Sequence, residues 1–446
     1  MTTPREDRTS RDSLILITTA MGVGMHLGAW RYRVGDAFDY LDLEFYERIA
    51  KTAERGVLHG LFLADTLALS EENLERPNLG ALDPIVVLSA LASVTDRLGL
   101  VATSSTTFNE PFNLARRFSA LDHLSGGRAG FNVVTTFVPD VAANFGADDL
   151  PRHDNRYARA EEAMDVITAL WNSWDDDALV GDKATGVFVD RDKVRPIDHV
   201  GEHFSVRGPL TLPRTRQGRP VVFQAGASEA GRRLAARTAD AVFTVQNTRS
   251  AAIEFRADIR NRAAGFGRDP DSVKVLPGLV PVLGATRDEA RERKLMLDDL
   301  SADAELRKLA LRVGVPVDAL ELDRPLPVDL IRADPSFNAS HGFRDAVIRL
   351  AVEEDLTVRE ILYRNGGGHV QVIGTPDDVA ELIEDWYRAG AVDGFNLMID
   401  VLPEGLEDFV DEVVPRLQDR GVFRTEYRGG TFREDLGLAA ALQRTA

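Results

Sequence analysis

The chain has 446 residues, 44% of them hydrophobic and 28% charged, a balance that excludes a disordered or membrane-embedded protein and suffices for a large core. Its formal net charge of −18, with no offsetting basic patch, argues against nucleic acid or a membrane surface as partner. The absence of cysteine removes disulfides, thiolate zinc sites, cysteine-held iron–sulfur clusters and a cysteine nucleophile.

The polar opening MTTPREDRTSRDS runs into an apolar stretch, 14–25, that contains two threonines and two glycines. With no small-residue cleavage site before Trp30, this stretch reads as a first strand and not as a signal peptide. No segment reaches the roughly 20 apolar residues of a membrane span, so cytoplasmic residence is expected. Strand 13–19 (SLILITT) is followed by GVGMHLG, whose glycines fail the spacing of a dinucleotide fingerprint and open no helix.

Strand 60–66 (GLFLADT) ends on Asp65, and strand 98–104 (LGLVATS) ends on Thr103 and Ser104. All three are expected at the C-terminal rim, where barrel active sites assemble, although helix and loop caps use the same residue types. Asn132, inside strand 128–135 (RAGFNVVT), either points into a barrel mouth or is a satisfied core amide. Helices with apolar residues at i, i+3 and i+4 follow at 84–95 and 111–124.

The next helix opens with HDNRYARA, where His153 and Tyr157 share a face if the helix starts early enough. Such a pair can clamp a phosphate or a ribityl chain; a surface pair behind an Asp154 or Asn155 cap fits equally. The connection 175–219 is too long for an ordinary loop and is expected to be an insertion. Its His199 and His203 are four apart, but HVGEH carries a central glycine in a strand-like context, so no metal site is expected.

Strand 220–226 (PVVFQAG) leads through a small-residue turn into a helix at 228–238. Ser228 is a good cap, and Gly226 and Ala227 let backbone N–H groups approach a ligand, so this turn suits a phosphate; a capped helix that binds nothing is the alternative. Strands 241–246 and 273–284 come next, then a second insertion over about 301–368, a helix at 377–389 and strand 394–401. Eight βα repeats predict a closed (β/α)8 TIM-type barrel, a single domain with insertions about 175–219 and 301–368 and a C-terminal tail about 422–446.

HLGAWR, LFLADTLAL, EPFNLARRFSALDHLSGGRAGFNVVTT, HDNRYARAEEAMDVITALW, GEHFSVRGPL, FQAGASEAGRRLAARTAD and FRTEYRGGTFREDLGL occur in that order along the chain. Together they resemble the nitrilotriacetate monooxygenase component A and dibenzothiophene sulfone monooxygenase family of bacterial-luciferase-like enzymes. The resemblance implies a luciferase-like barrel, reduced FMN as a diffusible cosubstrate, a separate NAD(P)H:FMN reductase, O2 and a small organic substrate, and a homodimer or homotetramer. It places FMN against Asp65, Thr103, His153, Tyr157 and Ser228. Its phosphate site then follows strand five, whereas barrels commonly use the loops after strands seven and eight.

His26 is a candidate catalytic group in a water-excluding pocket, with a plain loop histidine as the alternative. A deazaflavin-dependent oxidoreductase of the same superfamily and a flavin-binding protein without turnover are the rival readings.

Overall fold

A computed structural model describes residues 14–69, 82–136, 138–226, 228–333, 337, 341–364 and 368–441. Ala227, one of the expected turn residues, lies outside the described residues. The expected barrel is present. Its parallel strands are β1 (Ile15–Ala20), β2 (Gly60–Leu63), β3 (Gly99–Ser105), β4 (Ala129–Val134), β5 (Val221–Gln224), β6 (Ala241–Thr244), β7 (Lys274–Leu283) and, after one extra strand, β9 (Gly394–Leu397). β1 pairs with both β2 and β9, and β6 with β7, which closes the ring.

The extra strand, β8 (Val370–Gly374), was not among the eight expected. β7 has 10 residues and β6 only four, so half of β7 projects beyond its neighbour. β8 pairs with that projection, Leu279 opposite Val370 through Leu283 opposite Gly374, and satisfies backbone groups that would otherwise be left unpaired.

Alternation sorts each strand into two faces. Ile15, Ile17, Phe62, Val101, Val221, Phe223 and Leu276 fill the barrel, while Leu14, Leu16, Leu61, Leu100, Ala102, Phe131 and Val133 pack outward into the main core. The surrounding helices that matter for the site are α1 (Pro84–Leu91), α2 (Pro111–Leu124), α3 (His153–Trp171), α4 (Glu229–Thr238), α5 (Arg249–Gly265) and α6 (Arg287–Asp299).

The insertion at 175–219 carries two short antiparallel hairpins. The second is docked on α3 by Glu162, which accepts hydrogen bonds from the backbone N–H groups of His203 and Phe204 and lies 2.9 Å from His199 Nε2. The second insertion holds α7 (Ala302–Val313) and α8 (His341–Glu353), which build a separate apolar cluster with Leu309, Val313, Ile331, Val347 and Ile361.

The tail plugs the N-terminal end of the barrel. Phe432 is fully buried there, and a β-carbon on Gly60 or Gly130 would come within 3.3 Å of its ring; one on Gly99 would overlap it. Three glycines on adjacent strands thus form the socket. Arg433 pairs with Asp240 at 2.8 Å, and Arg219 with the same carboxylate at 2.9 Å.

Candidate functional site

At the opposite end, the C-terminal ends of β4, β5 and β6 and the starts of α3, α4 and α8 frame a cavity of about 190 Å³. His153, Arg156, Tyr157, Gly226, Ser228 and His341 line it. Among the described residues no aspartate or glutamate does, in a chain whose net charge is −18. An anion entering here meets donors, and none of these lining residues carries a fixed negative charge.

The helix α3 begins at His153, early enough to set His153 and Tyr157 on one face, with their rings 4.8 Å apart. Helix α4 begins immediately after Ser228, whose extended backbone and side-chain oxygen make it the cap: Gly231 N–H donates to Ser228 Oγ at 3.1 Å. Gly226 N–H donates to Gln224 Oε1 at 2.7 Å, which folds the turn back on its own strand.

The turn and the helix touch so closely that a β-carbon on Gly231 would lie 2.9 Å from the Gly226 backbone, and one on either glycine 3.1 Å from Tyr157 Oη. Only glycine at both positions lets strand, helix and phenol converge. A helix N-terminus with a phenol beside it is an environment that suits a phosphate.

Thr103 and Asn132 share the inward parity of Val101 and Gly130 and form a pair deeper in the barrel, Asn132 Nδ2 donating to Thr103 Oγ1 at 3.0 Å. Asn132 is buried, and its Oδ1 has no protein partner. Ser104 has the outward parity of Leu100 and Ala102, so its side chain does not join that pair. Asp65 follows β2; burial, with the Asp83 charge adding to it, pushes its carboxyl up to about 6.

His26 is buried, with Gly28 N–H donating to Nδ1 at 3.1 Å and Asp298 Oδ1 lying 3.1 Å from Nε2. Lys294 Nζ shares the Asp298 carboxylate, at 2.5 Å from Oδ2. Both ring nitrogens of His26 therefore face protein partners, tying the segment after β1 to α6.

Several features of the rim escaped the sequence reading. The hydroxyls of Thr106 and Thr107 donate to the carbonyls of Val134 and Thr135 at 3.1 and 2.8 Å, holding the segment that leaves β4. Beside it, Thr136 takes a positive φ of 43°, and its Oγ1 lies 2.6 Å from Ser105 Oγ. The hydroxyl run SSTT at 104–107 was the available signal.

His369 stacks on Phe243 with centroids 5.1 Å apart and meets Phe343 edge-on at 5.6 Å. Burial, reinforced by Arg312 and Lys308, pushes its imidazole down to about 3, so it is a neutral aromatic wall at physiological pH. His341 reaches the cavity from the second insertion and meets His153 edge-on at 6.0 Å. Arg156, inside HDNRYARA, also lines the cavity and was not among the expected residues.

The profile of luciferase-like monooxygenases matches residues 15–393. The chain belongs to this family. N-acetyl-S-(2-succino)cysteine monooxygenase of Bacillus subtilis (strain 168) is 43% identical over 95% of this chain and 96% of its own. Nitrilotriacetate monooxygenase component A of Aminobacter aminovorans is 43% identical over 93% of this chain and 94% of its own. Among solved structures, a riboflavin lyase with modified FMN and riboflavin superposes with a TM-score of 0.85 at 31% identity, covering 96% of both chains. This luciferase-like chain is therefore an enzyme, a flavin-dependent monooxygenase. Among its described residues no helix is long and apolar enough to cross a membrane.

Proposed function

We propose that the chain is the oxygenase of a two-component system: it takes up FMN in the reduced form from a separate NAD(P)H-dependent reductase and oxidises a small organic substrate with O2. The observation that carries this reading is the cavity, without a carboxylate among its described lining residues, in which Tyr157 Oη and the Ser228-capped start of α4 converge. Two further features fit a flavin: the unsatisfied Oδ1 of Asn132 offers an acceptor inside the barrel, and the glycine pair brings the Tyr157 phenol against the start of α4.

Reduced FMN, when bound, supplies two electrons to O2, so that one oxygen atom enters the substrate and the other leaves as water. His153, Tyr157 and Ser228 would hold the phosphate end, Thr103 and Asn132 would offer polar groups to the ring, and Asp65 would close the rim. The aromatic row Phe62, Phe243 and His369, with Phe343 from the second insertion, lines the mouth with apolar surface and keeps water from the reacting centre. His26 acts by fixing the segment after β1, its ring nitrogens being engaged by Gly28 and Asp298.

The reading is tested with purified protein, FMN, NADH and O2, presented with a panel of aminopolycarboxylates and thioether acids chosen from the substrates named for the relatives. Product is expected only when a heterologous flavin reductase or chemically reduced FMN is added. Equal product without either, in preparations free of contaminating reductase, would sink the two-component reading.

A further inference from the structure

Arg156 stands in the first turns of α3, directly before Tyr157, and is only 2% exposed. Its Nη1 donates to the Pro151 carbonyl at 2.6 Å, while Nε has no partner; among the described residues no carboxylate lies within ion-pair distance, and the Asp149 charge acts on it only from farther off. Other buried arginines of this chain are differently placed. Arg433 sits on Asp240 at 2.8 Å, Arg424 on Asp435 at 3.3 Å, and Arg128 spreads its donors over four carbonyls and the Thr95 hydroxyl.

A buried cation without a contacting counter-ion is costly, and an anion that reaches it completes its pairing. Arg156 lines the cavity that Ser228, Tyr157 and Gly226 also line, and no acidic side chain among the described residues lines it.

Resting on the flavin reading above, we propose that Arg156 is the fixed charge of the phosphate site: a phosphomonoester takes the place of the missing carboxylate, held between the Arg156 guanidinium, Tyr157 Oη and the capped start of α4. A phosphomonoester suits this site better than a carboxylate because its three terminal oxygens can meet these three donor groups at once. Selectivity for FMN over riboflavin would then come chiefly from a side chain that none of the expected site residues included.

The test uses the full chain and two probes. Binding of FMN and of riboflavin is followed by flavin fluorescence in the wild type and in Arg156→Met and Arg156→Lys; in parallel, inorganic phosphate is titrated while Tm is recorded. Losing a charge-assisted bond is expected to weaken FMN by about tenfold or more in Arg156→Met and to leave riboflavin within about twofold. Phosphate is expected to raise Tm of the wild type and not of that variant.

Arg156→Lys keeps the charge without the planar fork and is expected to fall between the two, which gives a reading even if the methionine variant does not fold. Equal losses for both flavins, or phosphate protection of Arg156→Met equal to that of the wild type, would overturn the proposal. So would unaltered FMN affinity in both variants. Should the wild type bind neither flavin, the flavin reading falls by itself, and phosphate protection confined to wild type and Arg156→Lys would still establish Arg156 as an anion-binding residue.

Discussion

The phenolic oxygen of Tyr157 lies 3.1 Å from the point where a β-carbon on Gly226 would sit. That distance leaves no room for alanine without moving the phenol, the turn or Gln224, whose amide nitrogen the same β-carbon would overlap.

Gly231→Ala is the sharper version of this test, because its β-carbon would meet the Gly226 backbone at 2.9 Å and no rotamer change can relieve a clash with backbone. The variant is expected to lose about 1–3 kcal/mol of stability and to bind FMN more weakly, since α4 must back away from the turn. Thermal denaturation and FMN titration check this; wild-type behaviour in both would mean that the close approach is not maintained in solution.

Ser228→Ala separates cap from ligand. Without flavin it is expected to cost about 1 kcal/mol of stability through loss of the bond from Gly231 N–H. Beyond that, FMN binding should weaken by about 1–2 kcal/mol while riboflavin binding is nearly unaffected. Equal losses for the two ligands would place Ser228 away from the phosphate.

Asp65 gives the fold a pH dependence of definite sign. Its carboxyl is raised from 3.8 to about 6, by burial first and the Asp83 charge second, so within that window the folded chain keeps a proton that the unfolded chain has released. Its contribution is therefore greatest at the acidic end of the window and is lost as pH rises through about 6. Asp83→Asn retains a residue able to cap α1 but removes the charge, so the fall in stability across this window should become shallower. Denaturant titrations at a series of pH values measure the slope, and an unchanged slope would exclude the coupling between these two residues.

Phe432→Ala probes the barrel foot. Emptying a socket lined by Gly60, Gly99 and Gly130 is expected to cost about 3–5 kcal/mol, because three adjacent strands without side chains cannot refill it. FMN affinity of the folded fraction should stay near the wild-type value, since the proposed flavin site lies at the other end of the barrel. A comparable loss of affinity would show that the foot and the mouth are coupled.

Sequence by itself determined the features that depend on a few neighbouring residues. The eight barrel strands followed from short apolar runs bounded by turns, the Ser228 cap from a serine between a strand and a helical pattern, and the His153–Tyr157 face from a spacing of four. Family motifs quoted in order then pointed to the flavin.

What only the tertiary structure decided involves partners far apart in the chain. His341 meets His153 across the second insertion, Arg433 reaches Asp240 from the tail, and Phe432 fills a socket made by three strands. β8 exists because β7 outruns its neighbour. Arg156 looks like any helical arginine until burial removes its solvent and no carboxylate among the described residues comes within ion-pair distance. Backbone preference and hydrogen-bond spacing act within a turn or two and leave a pattern along the chain. Burial and electrostatic environment are set by whatever folding brings alongside, and no local pattern records that.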